Sequence, residues 1–277
     1  MEPEEPPKEL DFNLWLGPAP VQPFHRNLVH YNWHWFWDFG NGEIGNQGVH
    51  QMDIARWAVT AATGKTGPVS AISLGGRFGY KDQGQTPNTQ LTLFDFGDGT
   101  RLFFEDYGLA TGKNRHCDNA FFLEEGAIKG DKFYPNGSDK GEDLGDVEYT
   151  CHGGGNFRNF INCVRSRKRE ELNAEVLDAH LSATLCHLGN ISYRLGEPAP
   201  FSKTPEALSA DQDAVEAFEN MKDHLGRRTD MNLDESQYCL GRKLTYDPAT
   251  EQFVGDAEAN KMLTRPYREP FVVPEVV

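Results

Sequence analysis

The sequence predicts an α+β fold in a single domain: an open-faced, predominantly antiparallel β-sheet with helices packed on one face. Strand-like segments are gathered in one block, at about 68–79, 88–97 and 100–107, and helical patterns lie on either side of it. A parallel α/β sheet would instead alternate strands with helices. The last two strands are joined at Asp98-Gly99, a two-residue turn that requires antiparallel pairing.

Helical spacing of apolar residues predicts the elements around this block. One helix is predicted over about 48–62 and ends at Gly64. Later helices are predicted over about 156–166, from Asn173 to Gly196, and from Ser209 to Gly226. A second hairpin is predicted around Glu124-Glu125-Gly126, followed by a surface excursion over 130–150.

Proline content divides the chain into an arm and a domain. Residues 1–30 contain six prolines, too many for a regular element, and they predict an extended Pro-rich arm that lies over the rest of the protein. Residues 31–277 are predicted to form one substrate-binding and oligomerisation domain.

Composition excludes several functional classes. The 277 residues include 42 acidic and 27 basic side chains, which gives a formal net charge of −15. That charge repels phosphate backbones, so we expect no nucleic-acid partner. No apolar run approaches the roughly 20 residues of a membrane span, and the acidic start does not resemble a signal peptide. The five cysteines include no C-x-x-C pair, so we expect a soluble, cytoplasmic protein.

The residues most suited to chemistry lie where the chain enters the first long helix. His50, near its start, is a candidate general acid or base because imidazole exchanges protons near neutral pH. Asn46 and Gln47 add neutral donors and acceptors that suit sugar hydroxyls. Asp53 lies one helical turn after His50, on the same side, and is a candidate substrate ligand. Two alternatives remain open: a core role for His50, and an ion pair of Asp53 with Arg56.

Aromatic residues precede these side chains. All five tryptophans lie within residues 15–57. Trp33, Trp35 and Trp37 alternate with other residues, so several indoles would share one face of an extended segment. Indole rings pack well against the C–H faces of sugars. Trp33 and the neighbouring His34 are therefore predicted to line the substrate side. Packing in a core or an interface is the alternative.

Two glycine-rich motifs are predicted to have no catalytic or cofactor role. Residues 40–45 fit G-x-G-x-x-G, but the preceding WHWFWDF is not an apolar strand, and no acidic residue lies between Asp53 and Asp82 to bind a ribose. The run that begins at His152 resembles an esterase oxyanion loop, but the chain has no G-x-S-x-G. We therefore expect glycine turns before helices and no cofactor-binding residues.

A metal site is not predicted either. His180 and His187 are seven residues apart on one predicted helix, which separates them by about 10 Å along its axis. That distance is too long for both to bind one ion.

Four segments of the chain resemble one protein family. They are LWLGPAP in the arm, NWHWFWDFGNGEIGNQGVHQMDIARW, the later NFRNFINCVRSRKREELNAEVLDAHLSATLCHLGNISYRLG, and ANKMLTRPYREPFVVPE near the end. These segments, which span nearly the whole chain, resemble the C-terminal domain of Gfo/Idh/MocA-type oxidoreductases, and the arm points to a bacterial subgroup.

The resemblance carries expectations about activity. Members of this family pair a Rossmann domain with an open-faced antiparallel sheet, and they oxidise or reduce sugar-like substrates with a bound NAD or NADP. The family places an Asp, and four residues later a His, against the substrate. These positions correspond to Asn46 and His50 here, and since an asparagine cannot take a proton, acid–base work would fall on His50. The Glu-Lys-Pro motif of the nucleotide-binding half does not occur in the chain.

We therefore expect the substrate-binding and catalytic half of a nicotinamide-dependent sugar or polyol oxidoreductase, not competent for hydride transfer alone. It would require a Rossmann domain from a separate chain, or it is a truncated product of a longer gene. We expect a homo-oligomer formed through the sheet face. Two alternatives remain open. One is a cofactor-free or metal-assisted sugar lyase, epimerase or hydrolase using His50, and the other is a non-catalytic carbohydrate-binding or oligomerisation module.

Overall fold

A computed structural model describes residues 2–79, 81–109, 117–146, 148 and 151–274. Its helices are α1 (Phe12–Leu16), α2 (Gly48–Thr63), α3 (Gly155–Ser166), α4 (Val176–Arg194), α5 (Glu206–Ser209), α6 (Gln212–Arg228) and α7 (Ala257–Lys261). Short 3₁₀ turns occur at Asn32–Trp35, Glu43–Gly45 and Arg169–Glu171.

The strands form two antiparallel sheets. The larger contains β1 (Ser70–Gly76), β2 (Thr89–Asp95), β3 (Arg101–Tyr107), β8 (Glu197–Pro200), β9 (Gln237–Leu240), β10 (Leu244–Asp247) and β11 (Gln252–Phe253). The smaller contains β4 (Ala120–Phe122), β5 (Gly126–Lys129), β6 (Lys132–Pro135) and β7 (Glu142–Asp143). The predicted α+β fold with an open antiparallel sheet is confirmed.

β1 lies at the centre of the large sheet. It pairs along its whole length with β2, in a register that sets Ser73 opposite Thr92, and β2 pairs in the same way with β3. On its other side, β1 pairs first with β10 and then with β9, and β9 continues to β8. In the described chain β3 pairs with β2 alone and is therefore an edge strand.

One face of the large sheet packs against α2 and α4. Alternation along the strands turns Phe94 and Leu102 toward this side, where they join Met52 of α2 and Leu185 and Leu188 of α4 in one core cluster. The close packing of α2 on the sheet fixes where the first turn of this helix lies relative to the end of β3.

The other face of the sheet also carries a helix. Leu74 and Leu91 pack there in a second cluster with Phe218 and Met221 of α6. The sequence prediction placed helices on one face only, so α6 is an addition to it. The bare sheet face through which we expected an oligomer to form is therefore covered at these positions.

Several boundaries differ from the predicted ones. Helix α4 begins after Glu175, whose side chain accepts a hydrogen bond from the Leu177 amide, and not at Asn173. Helix α6 is capped by Asp211 and not by Ser209, which ends α5. Part of the predicted surface excursion over 130–150 folds into β6 and β7, and positions 147, 149 and 150 lie outside the described residues.

The arm lies against the rest of the domain. Leu16, Phe24 and Leu28 are buried, so the arm contributes to the packed interior. Near the other end of the chain, Arg268 donates hydrogen bonds to the carbonyl oxygens of Asn13, Gly17 and Ala19. The arm also contains α1, a short helix that the proline content did not predict. No helix in the described ranges is long and apolar enough to cross a membrane.

Candidate active-site cleft

A large cleft runs along β3, the edge strand, and reaches the first turn of α2. Its volume is about 2660 Å³, well above the roughly 300–1,000 Å³ of a typical small-molecule pocket, so a small ligand would occupy a part of it. At the α2 end it is lined by residues that include Trp35, Glu43, Asn46, Gln47, Gln51 and Asp106. This end of the cleft is the candidate site.

The segment before α2 is folded by local turns. The Gly40 amide donates to the Phe36 carbonyl at 2.8 Å and the Gly42 amide donates to the His34 carbonyl at 2.9 Å. A Cβ atom on Gly40 would lie 2.2 Å from the Cα of His34, so this close approach requires glycine. The compact loop delivers Glu43 and Asn46 to the cleft.

The predicted extended tryptophan segment is wrong. Residues Asn32–Trp35 form a 3₁₀ turn, so Trp33, Trp35 and Trp37 do not share one face. Trp35 lines the cleft, whereas the Trp37 ring packs under the Arg194 guanidinium, 5.1 Å from it. The reason is that local hydrogen bonds and aromatic packing prevail over the alternation in the sequence.

Trp33 and His34 lie beside the cleft and are not among the residues that line it. Trp33 is partly exposed and meets the His34 ring edge-on at 5.2 Å. His34 is buried, and its Nε2 atom has no hydrogen-bond partner among the described residues. Burial lowers the pKa of His34, although the nearby Glu43 charge opposes this. Neutral His34 therefore packs behind the loop.

Asn46 and Gln47 line the cleft. The Asn46 amide nitrogen lies 3.4 Å from Glu43 Oε2, and the Gln47 amide nitrogen donates to Gln51 Oε1 at 3.2 Å. Asn119, which precedes β4, donates to the Gln51 carbonyl at 2.9 Å and so fastens the small sheet to the start of α2. Amide groups that suit hydroxyl ligands are therefore concentrated here.

His50 lies on the first turn of α2. Its side chain is exposed and does not contribute to the cleft lining, whereas the next residue, Gln51, does. A ligand that meets both His50 and Asn46 would have to extend across the start of the helix.

Asp53 faces α4 and not the cleft. Its carboxylate accepts a short hydrogen bond from the Ser182 hydroxyl and lies 3.8 Å from Arg56. Arg56 is buried and donates to Ser182 at 2.8 Å and to Asp178 at 2.9 Å. This network joins α2 to α4, and it corresponds to the alternative in which Asp53 pairs with Arg56.

The sequence did not point to two carboxyl groups at the α2 end of the cleft, those of Glu43 and Asp106. Asp106 is nine-tenths buried, and its Oδ2 atom has no hydrogen-bond partner among the described residues. Burial, and secondly the charge of Glu43, raise the pKa of Asp106 to about 8. Asp106 therefore holds a proton at neutral pH and can donate a hydrogen bond.

The strand pattern contained a signal for Asp106. Along β3, Leu102, Phe104 and Asp106 alternate with exposed or half-buried residues and point to the face that packs on α2. A carboxylate at the end of an apolar strand face is unusual enough to be a candidate functional group.

The described residues near the cleft do not fit a nicotinamide dinucleotide. Ten acidic side chains and two basic ones, Arg77 and Arg101, line it. Both arginines already form ion pairs, Arg77 with Asp82 and Arg101 with Asp211. A pyrophosphate would be repelled here. The turn at residues 40–45 follows a 3₁₀ segment and not a strand, so the Rossmann geometry is missing from it.

A protein metal site is not formed by the described residues either, because they contain no cluster of three or more His, Cys, Asp or Glu side chains placed to hold an ion. The chemistry that the cleft offers is hydrogen bonding by amides and by one protonated carboxyl group, beside the carboxyl group of Glu43.

Comparison with known proteins identifies the family of the chain. The model of the Gfo/Idh/MocA oxidoreductase family, C-terminal alpha/beta domain, matches residues 1–225. Among solved structures, the WlbA dehydrogenase from Bordetella pertussis, in complex with NADH and UDP-GlcNAcA, is 16% identical with a TM-score of 0.38. The match covers 57% of this chain and 44% of that one, so the chain spans less than half of the dehydrogenase. No curated protein matches the chain. The chain belongs to the Gfo/Idh/MocA oxidoreductase family, within which it matches the C-terminal alpha/beta domain.

Proposed function

We propose that this domain is the substrate-binding half of a nicotinamide-dependent oxidoreductase that acts on a sugar or polyol. The observation that carries the proposal is the cleft at the start of α2, where the amides of Asn46 and Gln47 meet the carboxyl groups of Glu43 and Asp106. Vicinal hydroxyls both donate and accept hydrogen bonds, and this set of side chains offers both.

Each residue has a proposed role. Asn46 and Gln47 orient hydroxyl groups, and the exposed ring of Trp33 together with His34 backs the loop that carries Glu43. His50 exchanges the hydroxyl proton at the mouth of the cleft. Asp53 acts through the Arg56 network, by holding α2 in place on α4.

We propose no binding site for the hydride carrier among the described residues, because the acidic cleft does not suit a dinucleotide. We propose that a Rossmann domain outside residues 1–277 binds NAD or NADP. Isothermal titration with NAD tests this point: we expect no stoichiometric complex with the chain alone, and a tight one would contradict it.

Sugar binding is tested by titrating D-glucose and myo-inositol into the chain and into Asn46→Ala and Gln47→Ala. Loss of one good hydrogen bond costs about 0.5–1.5 kcal/mol, so we expect each variant to bind about two- to tenfold more weakly. Asp139→Asn, an exposed change outside the cleft, is the control and should bind like the wild type. Unchanged affinity in both amide variants would contradict sugar binding in this cleft.

A non-catalytic carbohydrate-binding module is the second candidate. The observation that favours it is the position of His50, whose side chain is exposed and outside the cleft lining. If His50→Ala binds sugars normally and the wild type turns none over when a Rossmann domain and nicotinamide are supplied, this candidate is preferred. Turnover without nicotinamide that is lost in His50→Ala would instead indicate a lyase, epimerase or hydrolase.

We also propose that the chain self-associates. Exposed apolar side chains are concentrated on α3, at Phe157, Phe160, Ile161 and Val164, and patches of this kind are uncommon on monomers. Sedimentation velocity tests the state directly, and a single species at the monomer mass of 31.1 kDa over a wide concentration range would contradict it.

A further inference from the structure

We infer that the ligand of this cleft carries a protonated amine, which binds between Glu43 and Asp106. The chemical class is an amino sugar or amino polyol. This inference deepens the proposed function, since it names the substrate class of the same site and rests on the cleft being a sugar site.

The first support is an unsatisfied atom. Asp106 Oδ2 is buried, faces the cleft and has no hydrogen-bond partner among the described residues. A buried polar atom without a partner is costly, and such atoms in folded proteins are usually satisfied by a ligand, an ion or a water molecule. An ammonium group offers three donors to this oxygen and to its neighbours.

The second support is the pair of carboxyl groups. Glu43 lies close enough for its charge to help raise the pKa of Asp106. On β2, the cross-strand neighbour of Asp106 is the neutral Gln90. On β3 itself, Tyr107 is the titratable group that senses Asp106, and burial raises the Tyr107 pKa. A neutral hydroxyl would leave Asp106 protonated, whereas a cation offsets the repulsion that a second carboxylate beside Glu43 would meet.

The third support is the charge of the whole lining. Ten acidic side chains face two arginines in the described part of the cleft, and both arginines are paired with carboxylates. A cleft lined by one sign of charge concentrates ligands of the opposite sign. Anionic substrates such as sugar acids are therefore disfavoured.

Binding should release a proton. In the free protein near neutral pH Asp106 is protonated, because its pKa is about 8. When the ammonium group binds, the Asp106 carboxyl group gives its proton to the solvent and the resulting carboxylate pairs with the cation. Atoms and charge balance, and no covalent bond to carbon changes. The number released is up to about one proton per ligand bound.

The test is calorimetric titration of the full chain with D-glucosamine and D-glucose, near neutral pH, in two buffers of different ionisation enthalpy. A charge-assisted hydrogen bond exceeds a neutral one by enough to give about a tenfold preference for glucosamine. We expect this preference together with proton release. Asp106→Asn should lose both, whereas Asp139→Asn should keep both.

The outcomes separate the two proposals. Equal binding of both sugars without proton release overturns the inference and leaves sugar binding intact. Ethanolamine, which carries the ammonium without the sugar, is titrated alongside. If it binds with proton release and neither sugar binds, the cation site stands and the sugar function fails. If none of the three binds, both proposals fail. A thermal melt of Asp106→Asn confirms that the variant is folded.

Discussion

Asp106 should make the stability of the protein depend on pH, and Asp106→Asn should abolish this dependence. The unfolded carboxyl group has an ordinary pKa of 3.8, and in the folded protein burial raises the pKa to about 8. The folded state therefore binds the proton more tightly. The stabilisation from that proton is fully present below about pH 4 and is lost as the pH rises to about 8.

The magnitude follows from the shift of about four pKa units. Each unit corresponds to 1.36 kcal/mol, so the full effect is on the order of 5 kcal/mol for this buried group. Between about pH 5 and pH 7 the free energy of unfolding of the wild type should fall by about 2.7 kcal/mol relative to Asp106→Asn. This loss is large beside the 5–15 kcal/mol of a typical domain.

Urea denaturation followed by tryptophan fluorescence, at several pH values, measures this difference. Subtracting the curve of Asp106→Asn removes the contribution of the other titrating groups, including His34. Asp139→Asn, with the same change in formal charge, should run parallel to the wild type. A difference between wild type and Asp106→Asn that is constant across this pH range would refute the burial of an ionisable Asp106.

The remaining predictions concern packing. Arg56→Ala should cost about 1–3 kcal/mol by urea denaturation, because the buried Ser182 hydroxyl and the half-exposed Asp178 lose their hydrogen bonds from the guanidinium. Gly48→Ala should lower the free energy of unfolding by about 1–2 kcal/mol, since the new Cβ would lie 2.7 Å from the Phe104 ring. Phe218→Ala should cost about 3–5 kcal/mol in the same assay, because Phe218 is fully buried against the sheet. Phe160→Ala, on the exposed side of α3, should change the free energy of unfolding by less than about 0.5 kcal/mol at protein concentrations where the chain is monomeric, and a larger loss there would mean that α3 packs within the monomer.

The elements that the sequence predicted well are those whose signals are local. Helix α2 ends where Gly64 adopts a left-handed conformation with φ of 75°, as the glycine there indicated. The turn at Asp98-Gly99 joins β2 to β3, and the second hairpin joins β4 to β5 around Glu124-Glu125-Gly126. Spacing and turn chemistry act within a few residues, so they can be read from one sequence.

The elements that were missed depend on tertiary contacts. The 3₁₀ turn around Trp33 could not be seen in the alternation of aromatic residues, because it is stabilised by the contact between Gly40 and the His34 backbone. The helix caps at Glu175 and Asp211 could not be singled out in the sequence, because Asn173 and Ser209 lie nearby and can also cap a helix. The position of α6 over the second sheet face is likewise a packing outcome, since an apolar stripe on a helix does not specify which face of a sheet it covers.

Of the residues that the sequence suggested for the site, some lie at the cleft and others lie away from it. Asn46 and Gln47 line the cleft, and Asp53 turns toward Arg56 and Ser182 on α4. Helical spacing placed His50 and Asp53 on one side of α2 but could not say which side the cleft occupies. Asp106 lies about 60 residues away in the chain and approaches Glu43 only because β3 packs beside α2.

A sugar-like ligand is proposed to bind at the junction of α2 and β3. Hydrogen-exchange mass spectrometry of the chain, with and without D-glucosamine, tests it most directly because it locates the protected amides. We expect added protection in peptides that cover residues 42–51 and 102–109, and none in α3 or α6. Protection confined to other elements, or no change at saturating ligand, would contradict it.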